Sequence, residues 1–166
     1  SRSSVLLDAE AGSEVTQQLT IRRPRLWQGV DDPFLHSLRV TLRDARGRTR
    51  DVLEQSFGVR TLAIDATKGL VLNGRPLKLR GVGYHQDREG KGWAISAADV
   101  AEDVAIIRDM GANSIRLTHY QHGQAVHELA DRNGLIVWDE IPLVTAWTLK
   151  DETTPSAALL ENARQQ

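Results

Sequence analysis

Up to about Ile64 the chain alternates apolar and polar positions with the period of two that marks a strand with one buried face. SEVTQQLTI (Ser13–Ile21) and FLHSLRVTLR (Phe34–Arg43) each alternate, and after the turn-like DARGR the run TRDVLEQSFGVR (Thr49–Arg60) completes a hairpin. No long helical period interrupts them. One hairpin with one or two further strands is marginal alone, and a sandwich needs about seven strands over about 100 residues. The pattern therefore predicts the C-terminal portion of a β-sandwich.

From Gly69 the grammar changes. GLVL, the turn pair Asn73-Gly74 and RPLKLRGV predict a hairpin whose second arm runs on into Gly81. Ser96 stands as a helix N-cap with Asp99 three positions on, and AADVAEDVAIIRDM places Val100, Val104, Ile107 and Met110 on one helical face before Gly111 ends it. NSIRLT is the next strand, GQAVHELADRNG a helix with Val126, Leu129 and Ala130 on one face, and LIVW (Leu135–Trp138) a strand apolar on both faces. TPSAALLENARQQ begins a third helix. Strand and helix in alternation with short connections predict a parallel sheet, either doubly wound or part of a closed (β/α)8 barrel. RGVGYHQ has Gly81 and Gly83 but no third glycine, so it fails as a dinucleotide fingerprint.

Composition narrows the classes. The 166 residues carry a net charge of −1, are 40% hydrophobic and contain no cysteine, which excludes a disulfide scaffold and offers nothing to nucleic acid. The apolar runs fall far short of the roughly 20 residues of a membrane-spanning helix. The opening SRSSVLLDAE has neither an initiator Met nor a signal pattern, the expectation being a piece of something longer.

Candidate chemistry gathers at three strand ends: His85 after the first, His119 and Tyr120 after the second, Asp139 and Glu140 after the third. In a barrel these share the C-terminal face, where functional side chains collect. A lone histidine is more often a hydrogen-bonded spacer than a catalytic group; three successive strand ends shift the balance towards an active-site rim. If Ile115 and Leu117 face the helices, Arg116 points into the barrel and needs a carboxylate. That partner is either a nearby one such as Asp139 or a carboxylate from a later strand, where the ion pair would suit a nucleophile. His36, His122 and His127 lie away from the strand ends and are expected to be solvated. Trp93 and Trp147 occupy the long loops and suit sugar stacking and core plugging equally.

FGVRTLAID, LVLNGRPLKLRGVGYHQD, MGANSIRLTHYQH and DRNGLIVWDEIP, in this order, resemble family 2 of the glycoside hydrolases, the β-galactosidase and β-glucuronidase family. RRPRLWQGVDDPFLHSLRVTLRDARGR is similar to that family's immunoglobulin-like domain. The resemblance implies a partial immunoglobulin-like β-sandwich over residues 1–62 and the first part of a TIM barrel over 63–166. It implies that His85, His119 and Asp139 contact the sugar and that Arg116 bonds the nucleophilic glutamate, with Tyr120, Glu140, Trp93 and Trp147 along the rim. Gln121 stands where the family usually has proline, and Leu117 where a small residue is usual.

The family's hydrolysis is retaining, with one glutamate as acid and base and one as nucleophile, their carboxyl groups about 5–5.5 Å apart. Both are expected from strands downstream of this chain, since no Asn-Glu pair follows Trp138 and the adjacent Asp139 and Glu140 point to opposite faces. Some relatives bind magnesium at positions held here by Val144 and Ala146, so the resemblance implies no metal there and no cofactor. The expected partner is a β-galactoside or related carbohydrate, with neither nucleic acid nor membrane, and room is left for a homo-oligomer of the full-length protein. Two other readings stay open: a metal-dependent barrel hydrolase with His85, His119 and Asp139 as ligands, which would usually show His-x-His on the first strand, and a non-catalytic carbohydrate-binding module.

Overall fold

A computed structural model describes residues 3, 5, 12–142 and 156–166. The N-terminal half holds the expected hairpin, β1 (His36–Arg43) antiparallel to β2 (Thr49–Phe57). Its turn is organised by Asp44, whose carboxylate accepts the Arg46 and Arg48 N–H groups at 2.9 Å and pairs with the Arg48 and Arg50 guanidinium groups. Leu38, Val40, Leu42 and Leu53 share one face of the ribbon through the Val40–Leu53 pairing, and three of them stand about half exposed. Among the described residues no second sheet covers that face. The alternation of Ser13–Ile21 does not yield a strand: the segment is exposed and irregular, because among the described residues β1 and β2 pair only with each other and offer it no ladder.

In the second half, β3 (Leu62–Asp65), β4 (Gly69–Leu72) and β5 (Arg75–Pro76) form a small antiparallel sheet. Asn73 and Gly74 both take positive φ, 49° and 79°, as a tight two-residue hairpin turn requires. The second arm does not continue to Gly81. Pro76 has no N–H to donate, and the buried Asn113 side chain captures the chain beyond it, donating to the Lys78 carbonyl at 2.9 Å and accepting from the Arg80 N–H at 2.7 Å. These bonds carry the backbone out of the hairpin and into a different sheet.

That sheet is parallel, with β6 (Gly81–Tyr84), β7 (Ser114–Leu117) and β8 (Ile136–Asp139) in sequence order. Helices α1 (Ala97–Asp109) and α2 (Gln124–Asn133) make the crossovers. Ser96 and Asp99 close a reciprocal capping box on α1, and Gly134, at φ 73°, terminates α2. α3 (Ala157–Gln165) starts at its Ser156 cap. Tyr84, Ile115 and Leu117 on the outer face of the sheet meet Val100, Val104 and Ile107 of α1 and Val126 and Ala130 of α2 in one core. Met110, expected on the buried face of α1, caps the helix instead and is 66% exposed.

The inner face carries Gly81, Gly83, Ser114, Arg116, Ile136 and Trp138 along a hollow of about 770 Å³ that Leu62, Ile64 and Leu70 also line. Among the described residues the sheet has three strands, which do not close a barrel, and no further strand pairs with the outer edge of β6 or β8. Trp27, 1% exposed, fastens the earlier segment to the helical half: its indole N–H donates to the Asp131 carbonyl at 2.8 Å, its backbone N–H to Val59 O at 2.9 Å, and the Arg60 guanidinium lies 4.8 Å from its ring centre.

Candidate active site

The ends of β6, β7 and β8 converge because a parallel ladder keeps them level, with Tyr84 opposite Leu117 and Leu117 opposite Asp139. Thr118 extends the ladder by one residue, its N–H and hydroxyl both donating to the Tyr84 carbonyl, at 3.2 and 2.8 Å. The chain then bends sharply. His119 takes φ 70°, uncommon for a residue with a Cβ, and the Tyr120 N–H closes a three-residue turn on the Thr118 carbonyl at 2.9 Å. Such a conformation costs of order 1–3 kcal/mol and persists where its surroundings hold it. Here Glu140 does so, accepting the His119 N–H at 2.6 Å.

The turn brings the rings of His85 and His119 to 5.5 Å and of His85 and Tyr120 to 6.1 Å. Tyr120 packs on two further rings, Trp93 at 4.7 Å with the planes tilted by 32° and His122 at 4.7 Å with the planes nearly parallel at 7°. Its hydroxyl oxygen accepts the Gln86 N–H at 3.0 Å, and the Gln86 side chain accepts the Gly123 N–H at 2.6 Å, which ties the loop after β6 to the start of α2.

Arg116 reaches along the inner face, and its Nε donates to Glu140 Oε1 at 2.5 Å. This guanidinium, followed by the His119 N–H, holds the Glu140 carboxyl below the usual carboxylate range. The near partner of Arg116 is thus Glu140 and not Asp139. Alternation is the reason: Asp139, register partner of Leu117, turns towards α2, and Glu140 turns back to the Arg116 side. Asp139 accepts instead from His127, Nε2 to Oδ2 at 2.8 Å.

Two histidines expected to be solvated are therefore part of this end of the sheet. A crossover helix runs antiparallel to its strands, so its first turn lies level with the strand ends; His127, in the first turn of α2, carried that signal. His122 is 8% exposed between Tyr84 and Tyr120, its Nε2 3.3 Å from the Thr118 carbonyl and its Nδ1 without a hydrogen-bond partner among the described residues. Burial lowers its pKa. His36, the third, is half-buried with Nε2 3.0 Å from the Arg25 carbonyl. Trp147, Val144 and Ala146 lie outside the described residues. Among the described residues no three His, Asp or Glu side chains are grouped as metal ligands.

The rim thus offers ring nitrogens, a phenol, an exposed indole and two hydrogen-bonded carboxylates around one opening, an arrangement that can bind a polyhydroxylated ligand and position a further carboxylate. The TIM barrel domain profile of glycosyl hydrolases family 2 matches residues 63–163, and a second family 2 profile matches residues 1–60. The chain belongs to glycosyl hydrolase family 2.

This family 2 chain is 39% identical over 158 residues to a β-glucuronidase of Bacteroides fragilis and 40% identical over 135 residues to the β-galactosidase BoGH2A of Bacteroides ovatus. The first alignment covers 93% of the chain and 23% of the relative, the second 80% and 16%. The chain therefore spans less than a quarter of the length of these curated relatives. The crystal structure of a Bacteroides uniformis β-glucuronidase superposes with a TM-score of 0.72 at 31% identity, over 84% of this chain and 16% of that one. The parallel sheet and its crossovers are the beginning of the family's TIM barrel domain.

Proposed function

We propose that this chain is the part of a retaining β-glycosidase in which the end of an immunoglobulin-like sandwich (1–62) leads into the first three βα units of the catalytic barrel (63–166), and that the full protein hydrolyses the O-glycosidic bonds of β-galactosides. The observation that carries this reading is Arg116. Only its Nε is bonded among the described residues, to Glu140, and the side chain is half exposed over the hollow. Its two terminal nitrogens are open to a second carboxylate, and an ionised carboxylate held by a guanidinium is suited to attack an anomeric carbon. The exposed inner face, with Trp138 at 64% and Ile64 at 86%, supports the presence of further strands over it.

In this reading Glu140 orients Arg116 and Arg116 orients the nucleophile. His85 and His119 bind sugar hydroxyls, Asp139 offers its Oδ1, which has no partner among the described residues, and Tyr120 and Trp93 wall the rim. Both catalytic glutamates come from strands beyond β8, and no metal or cofactor takes part. Near-equal identity to a β-glucuronidase and a β-galactosidase favours a β-glucuronide as the second reading.

The test is to assay the full-length protein with 4-nitrophenyl β-galactoside and β-glucuronide and follow the released sugar by NMR. Turnover of the galactoside with a β product first supports the proposal. An α product first overturns retention, and turnover of the glucuronide alone selects the second sugar.

A further inference from the structure

We infer that the β3–β4–β5 sheet is the floor of the barrel, its apolar face a docking surface for the inward-pointing apolar side chains of barrel strands beyond β8 in the full-length protein. The sheet lies at the end of β6, β7 and β8 away from the rim, and its links to them fix it there. The segment leaving β5 is bonded to Asn113, the residue before β7, through the Lys78 carbonyl and the Arg80 N–H, and β6 begins at the next residue. Towards β8, a Cβ on Gly29 would stand 3.5 Å from both the Leu72 side chain and the carbonyl of Gly134, two residues ahead of Ile136.

Register puts Leu62, Ile64, Leu70 and Leu72 on one face of this small sheet, since Leu62 pairs with Leu72 and Ile64 with Leu70. Leu72 is 6% exposed, whereas Leu62 is 47% and Ile64 86% exposed. Leu62, Ile64 and Leu70 line the same hollow as Ile136 and Trp138 of the parallel sheet. A single bare aliphatic residue is ordinary on a surface; a row of them sharing a hollow with a second apolar wall marks a surface built to be covered. The TIM barrel domain profile identifies the cover. It starts at residue 63, inside β3, and this chain spans less than a quarter of the curated relatives it matches. In a closed barrel the later strands bring their inward side chains over this hollow, and bulky branched residues fill such interiors. A second copy of the chain would have to enter the space those strands take. Ile64 holds this place whether or not the protein cleaves a glycoside.

The test places single thiols in the full-length protein, Ile64→Cys on the floor and Lys68→Cys in the exposed β3–β4 turn, and follows their alkylation by iodoacetamide on the peptides that carry them. In the native protein the thiol of Ile64→Cys is expected to react about 10²-fold more slowly than that of Lys68→Cys, because local opening alone exposes it, and the two rates should converge in urea. Equal native rates overturn the floor. Slow labelling that becomes fast on dilution to the monomer also overturns it, since a second copy then covers the face. Ile64→Val is the variant to use if the thiol disturbs folding. Loss of one methyl from a packed residue should lower the thermal midpoint by about 1–2 °C, and an unchanged midpoint overturns the floor.

Discussion

Glu140 grips two residues of the neighbouring strand end at once, taking the Arg116 Nε–H at 2.5 Å on one oxygen and the His119 backbone N–H at 2.6 Å on the other. One carboxylate thereby fixes the guanidinium on the inner face and the left-handed turn that presents the His119 ring. On the glycosidase reading proposed above, Arg116→Ala in the full-length protein is expected to reduce kcat by about 10²-fold or more with a smaller change in KM, because an orienting group acts in the transition state more than in binding. Glu140→Gln keeps one oxygen acceptor and should reduce kcat less than Arg116→Ala. Steady-state kinetics of the two variants check this; a rise in KM alone would make Arg116 a ground-state binding residue.

Trp27 makes a second prediction. Truncating a fully buried tryptophan costs about 3–5 kcal/mol, and Trp27→Ala also leaves the Asp131 carbonyl without its indole donor. Trp27→Phe fills most of the space and keeps a ring for Arg60, so it should cost nearer the roughly 1 kcal/mol of one hydrogen bond plus a modest packing loss. Urea titration of the full-length protein measures both, and equal losses would show that the packing of the ring is irrelevant and that the indole hydrogen bond, lost in both variants, carries the effect.

These residues also mark how far the sequence could be read. The parallel units were legible because each element was consistent with its neighbours: the Asn73-Gly74 turn, the Ser96–Asp99 cap and the apolar stripe of Val100, Val104 and Ile107 all point to the same architecture. Ser13–Ile21 misled because alternation specifies a face and not a partner, and no described strand lies beside it. The end of β5 was hidden because the competing bonds come from Asn113, over 30 residues away. At the rim, position along strands indicated His85 and His119. The pairing of Asp139 with His127 and the burial of His122 depend on where a helix start falls against a strand end, which periodicity within either element does not encode.

Gly134 gives a third prediction. It sits at φ 73°, and a Cβ there would run into the Gly29 carbonyl, a backbone group that cannot swing aside. Left-handed strain adds roughly 1–2 kcal/mol and overpacking about 1–3 kcal/mol. Gly134→Ala should therefore lower the urea midpoint more than alanine at Gly47, which has a similar φ of 78° but open space around it. Equal effects at the two sites would mean that backbone conformation alone matters.

The fourth prediction concerns acid. Burial lowers the His122 pKa from its ordinary 6.5, so below pH 6.5 the unfolded chain holds a proton that the folded one refuses. Its contribution to stability is complete above 6.5 and falls as the pH drops towards the lowered value, then levels off. Asp99 is depressed far below the usual carboxylate range, first by Lys91, then by the Ser96 N–H and hydroxyl and by Arg88, and Glu140 is depressed by Arg116. Their contributions are present above the ordinary values of 3.8 and 4.5 and are lost as the pH falls through the folded ones. Urea midpoints between pH 8 and pH 3 should therefore show two declines, one starting near 6.5 and one near 4.5. His122→Asn, which cannot take up a proton, should abolish the first and leave the second; persistence of the first decline in that variant would assign it to another group.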